Sequence, residues 1–182
     1  MINQGFKSDF TNTSHLAPLV DYLGFCTWNA LEPELTSENV LEAVQILRKY
    51  GVKISTLLID DNWQTLGGTA MGDGHHDYRG FADFKANEGF PSGFKGLTSS
   101  VKADNPFTTD MGVWHGLMGY WGTLEKEGWV VDNYETVDVD GKMYYAVPAK
   151  LKSISASDLN RFCDEFYAYL SFCGISFVKT DV

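Results

Sequence analysis

KISTLLIDDN, residues 53–62, starts as an apolar, β-branched run and ends abruptly in three polar residues, Asp60, Asp61 and Asn62. A short run of that composition reads as a strand, so the two carboxylates stand where the strand stops. The same arrangement recurs at three other places. Tyr22 to Trp28 reads as a strand closing on Trp28, Met111 to Trp114 as one followed by His115, and Ile175 to Thr180 as one followed by Asp181. Helical periodicity separates them. Thr36 caps a stretch with Val40, Val44 and Leu47 on one face, stopped by Gly51; Pro91 to Ala103 carries Phe94, Leu97 and Val101 on one side. Ser155 and Asp158 form a capping box for a third helix, with Leu159, Phe162, Phe166 and Tyr169 facing inward and Gly174 closing it.

Strand and helix therefore alternate, which calls for parallel βαβ units. A doubly wound sheet and a (β/α)8 barrel both satisfy that order. The barrel is favoured because Trp28, Asp60, Trp114 with His115, and Asp181 each fall at the C-terminal end of a different consecutive strand, the face on which barrels place their sites. The expected fold is α/β, a partial TIM (β/α)8 barrel of about four parallel strands with helices. Insertions follow the second and third strands: a Gly-rich one from Gly67 to Gly89, and one from Gly116 to Lys152 built on a hairpin that turns at DVDGK and includes Tyr144 and Tyr145. A complete barrel takes about 250 residues and eight strands. Residues 1–182 are thus expected to be a single truncated catalytic barrel domain, its first half, with the remaining strands missing and the outer two strands left as open edges.

Composition narrows the possible chemistry. Of the 182 residues 44% are hydrophobic, and 14 Lys and Arg stand against 24 Asp and Glu for a net charge of −10. No basic cluster is present to displace counterions from phosphates, which argues against a nucleic-acid partner. No apolar run approaches the length of a membrane span, and MINQGFKSDF lacks the apolar core of a signal peptide, so a cytoplasmic protein without membrane contact is expected. Cys26, Cys163 and Cys173 match no disulfide or zinc spacing and read as buried free thiols. His75, His76 and Asp77 invite a metal reading, but adjacent histidines fit one tetrahedral ion poorly, and a solvated loop is the expectation; no metal or cofactor is called for.

Lys179 and Asp181 lie two apart in a strand and share one of its faces. A neighbouring cation keeps a carboxylate ionised, as a nucleophile for an anomeric carbon requires. An ordinary ion pair at a strand end explains the spacing equally. Asp60 and Asp61 can accept hydrogen bonds from sugar hydroxyls, with Trp28 and Trp63 as stacking walls, or they can simply form a turn. Trp121 and Trp129 stand open between an acceptor subsite and packing beneath an insertion.

Five blocks resemble, in order, the raffinose synthase and seed imbibition protein group, which includes alkaline α-galactosidases and is placed in glycoside hydrolase family 36. They are LGFCTWNA (Leu23 to Ala30), LLIDDNWQ (Leu57 to Gln64), RGFADFKANEGFPSGFKGL (Arg79 to Leu97), GVWHGLMGYWG (Gly112 to Gly122) and GISFVKTDV (Gly174 to Val182). The resemblance implies a retaining α-galactosyl enzyme acting on raffinose-type or galactinol-type sugars. It makes Asp181 the nucleophile and Lys179 its sugar-contacting companion. Asp60 and Asp61 become the pair that holds the galactose 4- and 6-hydroxyls, Trp28 and Trp63 the aromatics lining that pocket, and Trp114 with His115 a pair at the third strand end. The acid/base carboxylate is expected beyond Val182. Asn29, Asn62 and Thr180 depart from the commoner Asp, Gly and Val. Hydrolysis, galactosyl transfer of raffinose synthase type, and a non-catalytic or inactive galactose-binding piece all remain open from sequence.

Overall fold

The computed structural model describes residues 22–31, 35–68, 79–117, 119–143 and 147–181. Along the chain the elements are β1 (Gly24–Cys26), α1 (Trp28–Leu31), α2 (Ser37–Lys49), β2 (Thr56–Ile59), β3 (Gln64–Gly67), β4 (Gly80–Ala86), α3 (Gly93–Asp104), β5 (Asp110–Gly116), α4 (Trp129–Asn133), β6 (Thr136–Met143), β7 (Val147–Ile154), α5 (Leu159–Phe172) and β8 (Phe177–Asp181). The central sheet has four strands in the order β1-β2-β5-β8, every neighbouring pair parallel. With α2, α3 and α5 as crossovers, this is a partial (β/α)8 barrel.

Alternation along the strands divides the sheet into two faces. Leu57, Ile59, Met111 and Val113 point to one side and are fully buried, in one cluster with Val40 and Val44 of α2, Phe94, Leu97 and Val101 of α3, and Phe166 and Leu170 of α5. Each such side chain contributes roughly 1.5–3 kcal/mol when removed from water. On the other face the register aligns Gly112 with Leu58 and Phe177, and Trp114 with Lys179. Gly112 is required there, because the ring of Phe177 occupies the space a β-carbon would fill.

Helix ends follow their local chemistry. Thr36 accepts from the Asn39 N–H at the start of α2, and Gly51 takes a positive φ of 74° just past its end. The capping box expected for α5 does not form. Asp158 is the N-cap without a side-chain cap bond; its carboxylate instead accepts from Arg161 and from the Glu135 N–H, while Ser155 Oγ accepts from Ser157 N. Leu159, expected inside, is exposed, whereas Phe166 is buried.

Both insertions carry more structure than the sequence suggests. After β2, the strands β3 and β4 form an antiparallel hairpin within what reads as a Gly-rich loop. It is fused to the barrel by Phe84, whose ring lies 5.5 Å from Phe162, 5.1 Å from Phe166 and 5.0 Å from Trp129. Trp129 thus rests its ring against Phe84 while 40% of its surface stays exposed. After β5 comes the hairpin β6-β7, and DVDGK is not its turn: Asp138, Asp140 and Gly141 pair with Lys152, Lys150 and Ala149 inside the ladder. Tyr144 and Tyr145 lie outside the described residues. Of the cysteines only Cys173 is buried, with Cys163 half-buried and Cys26 exposed. No helix among the described residues is long and apolar enough to cross a membrane.

Candidate active site

The C-terminal ends of β1, β2, β5 and β8 meet around a cavity of about 160 Å3 lined by Trp28, Asp60, Asp61, Trp114, Trp121, Lys179 and Asp181. Larger hollows open beside the two insertions, but none of the strand-end carboxylates lines them.

Asp60 anchors the cavity. Its side chain is 3% exposed, and a carboxylate so buried must be paired and hydrogen-bonded. Oδ2 accepts from Lys179 Nζ at 2.8 Å and from Cys26 Sγ at 3.1 Å, and Oδ1 accepts from the Asp61 N–H at 2.9 Å. The Asp60 N–H donates to Thr27 Oγ1 at 2.9 Å, which ties the end of β2 to the end of β1. Burial draws the Lys179 ammonium down, but the hydrogen bond and charge of Asp60 outweigh it and hold the group above its usual value. Although Cys26 as a residue is exposed, its thiol is partly desolvated where it turns toward Asp60, which together with the Asp60 carboxylate pushes it up, so it stays protonated and donates. Register places Lys179 opposite Trp114 and Asp181 opposite Gly116, so both residues of the Lys-x-Asp pair face the cavity.

Asp61, also buried, accepts from the Asn62 N–H at 2.6 Å and from Trp121 Nε1 at 2.8 Å. The Trp121 ring stacks on Trp114 at 5.6 Å. Asn62 has a φ of 75°, the left-handed region. This conformation costs a residue with a β-carbon about 1–2 kcal/mol, Asn among the least.

Two expected site residues lie elsewhere. Trp63 is fully buried, tilted against Phe94 at 4.7 Å with its Nε1–H donated to the Trp114 carbonyl, so it supports the cavity floor from the core and lines none of it. His115 points to the helix side of β5. Its Nδ1 bonds the Gly116 carbonyl at 3.0 Å and its Nε2 lies 3.2 Å from Tyr167 Oη, while burial lowers its pKa. A neutral ring donating from Nδ1 and accepting at Nε2 satisfies both partners. Trp121, ambiguous in sequence between packing and a subsite, is the aromatic that replaces Trp63 in the cavity wall; its loop carries no periodic signal that could have assigned it. Among the described residues no three His, Cys, Asp or Glu side chains gather as a metal ion would need, and His75, His76 and Asp77 lie outside those residues.

The cavity thus combines carboxylates, one cation and stacked indoles, groups suited to binding a polyhydroxylated ring and attacking it. The family model described as "Raffinose synthase or seed imbibition protein Sip1" matches residues 4–182. The chain is 28% identical, over 92% of its length, to "Probable galactinol--sucrose galactosyltransferase 6" of Arabidopsis thaliana, and spans 25% of that protein. It is 34% identical, over 59% of its length, to "Galactinol--sucrose galactosyltransferase" of Oryza sativa subsp. japonica, spanning 16% of it. At most about a quarter of each of these relatives is therefore covered. Among solved structures, a GH36 alpha-galactosidase from Geobacillus stearothermophilus in complex with 1-deoxygalactonojirimycin matches with TM-score 0.57 at 14% identity, covering 88% of this chain and 21% of that one. An alpha-galactosidase from Thermus thermophilus in complex with p-nitrophenyl alpha-D-galactopyranoside matches with TM-score 0.51 at 14% identity, covering 88% of this chain and 30% of that one. The solved structures agree in fold, and the match over residues 4–182 settles the family: the chain belongs to the raffinose synthase or seed imbibition protein family.

Proposed function

We propose that residues 1–182 supply the nucleophile half of a retaining α-galactosyl barrel enzyme. The observation that carries this reading is the convergence of Asp181, Lys179, Asp60 and Asp61, from two different strand ends, on one cavity walled by Trp28, Trp114 and Trp121. Asp181 attacks the anomeric carbon while a second carboxylic acid, roughly 5–5.5 Å from it, protonates the departing oxygen. The same second residue then deprotonates the incoming hydroxyl, which displaces Asp181. That acid/base residue is assigned to a later strand outside residues 1–182.

Asp60 and Asp61 hold the galactosyl ring. A carboxylate offers about four acceptor sites, and Asp60 uses three of them on Lys179, Cys26 and the Asp61 N–H. The remaining direction suits one sugar hydroxyl, already oriented by the protein. Holding Asp60 rigid in this way removes reorganisation at the moment of binding.

Water and a sugar hydroxyl resolve the same glycosyl-enzyme, giving hydrolysis or transfer. The names of the curated relatives, galactinol--sucrose galactosyltransferases, favour a sugar acceptor. The test uses the full-length protein with p-nitrophenyl α-galactoside, and with galactinol plus sucrose. Wild type should release nitrophenol or form trisaccharide, and Asp181→Asn should abolish both; full turnover in that variant would remove Asp181 from the mechanism.

A further inference from the structure

A closed ring of contacts leaves Asp61 and returns to it. Asp61 Oδ1 accepts the Asn62 N–H at 2.6 Å, and Asn62 Oδ1 accepts from the Arg79 guanidinium at 2.9 Å. Arg79 lies over the Tyr120 ring at 5.6 Å, Tyr120 meets Trp114 edge-on at 5.8 Å, and Trp114 stacks on Trp121 at 5.6 Å. Trp121 Nε1 then donates to Asp61 Oδ2 at 2.8 Å. Two supports of the Asp61 carboxylate, the Asn62 N–H and the Trp121 indole N–H, thus trace back to one guanidinium.

Asn62 is the strained member of this ring, with φ at 75°. It is gripped at both ends, its side chain by Arg79 and its carbonyl by Asn87 Nδ2 at 2.7 Å. Arg79 immediately precedes β4 and Asn87 immediately follows it, so the grip comes from the hairpin inserted after β2. A guanidinium suits the task because its planar fork can donate to Asn62 while its face lies on Tyr120, which a lysine ammonium cannot reproduce.

We propose that Arg79 is a positioning residue for Asp61. By gripping Asn62 in its left-handed turn, it fixes the residue whose N–H donates to the carboxylate, so the β3-β4 insertion sets the affinity of the galactosyl pocket. This rests on the reading of Asp61 as a galactose ligand.

The experiment is a double-mutant cycle on galactose affinity, measured by titration calorimetry on the full-length protein. Arg79→Ala should weaken binding about tenfold. Asn62→Gly adopts the left-handed backbone without strain, and in that background Arg79→Ala should change affinity less than about twofold, since the two residues act through one another. If Arg79→Ala fails to fold, Arg79→Lys carries the same cycle with a smaller loss, about threefold. Unchanged affinity with a lowered melting temperature would overturn the proposal, as would a tenfold loss persisting beside Asn62→Gly. Either result leaves the galactoside reading intact, whereas a wild type that binds no galactose ends both.

Discussion

Lys179 Nζ donates to Asp60 Oδ2 at 2.8 Å across 119 residues of sequence, joining the end of β8 to the end of β2 over the intervening strand β5. The bond closes the cavity from side to side and balances a carboxylate that is almost wholly buried.

Lys179→Met removes that partner and leaves Asp60 with only neutral donors. A buried acceptor losing its charged donor costs about 1–3 kcal/mol. Urea unfolding of the full-length protein should show destabilisation in that range, and adding Asp60→Asn should recover part of it. No loss of stability would mean the pair contributes nothing to the folded state.

His115 gives the protein a pH response away from the cavity. Burial lowers its pKa from the ordinary 6.5, so just below that value the unfolded chain takes up a proton that the folded one refuses. Stability rises with pH wherever the unfolded state binds more protons; the His115 contribution is therefore complete above about pH 6.5 and shrinks as pH falls toward the folded value. Thermal melts should show this decline between about pH 7 and 5, and His115→Gln should flatten it. An equal slope in the variant would exclude His115 as the cause.

Trp121→Phe keeps a ring against Trp114 and deletes the N–H given to Asp61. Losing a hydrogen bond to a charged group costs about 1.5–3 kcal/mol. With Asp61 in its proposed role of holding the galactosyl ring in ground and transition states alike, the expected result is a KM for α-galactosides raised about tenfold or more with kcat changed much less. A kcat loss at constant KM would instead place Trp121 in the chemical step.

The strand ends are legible where an apolar run stops at a polar residue, which marks Asp60, Asp61 and Asp181, while Lys179 follows from its spacing of two from Asp181. Side-chain direction was harder. Trp63 follows the carboxylates and looks like a stacking wall, yet the left-handed turn at Asn62 precedes its burial against Phe94. His115 follows Trp114 directly, and strand alternation alone sends it to the opposite face. The β3-β4 hairpin escaped notice because register shifts between Gln64 and Leu66 break the period of two. The partner of Lys179 was invisible for a different reason: spacing within a strand suggests Asp181, and only the parallel pairing of distant strands brings Asp60 within reach.

In the proposed mechanism Asp181 forms the covalent bond to the galactosyl carbon. Exposing the full-length protein to a fluorinated galactosyl fluoride, whose slow second step lets the glycosyl-enzyme accumulate, and mapping the adduct by peptide mass spectrometry tests it directly. The expected result is one fluorogalactosyl mass increment on the peptide that contains Asp181, assigned by fragmentation to that residue and absent from Asp181→Asn. An adduct on any other carboxylate, Asp60 and Asp61 included, would show that Asp181 is not the nucleophile.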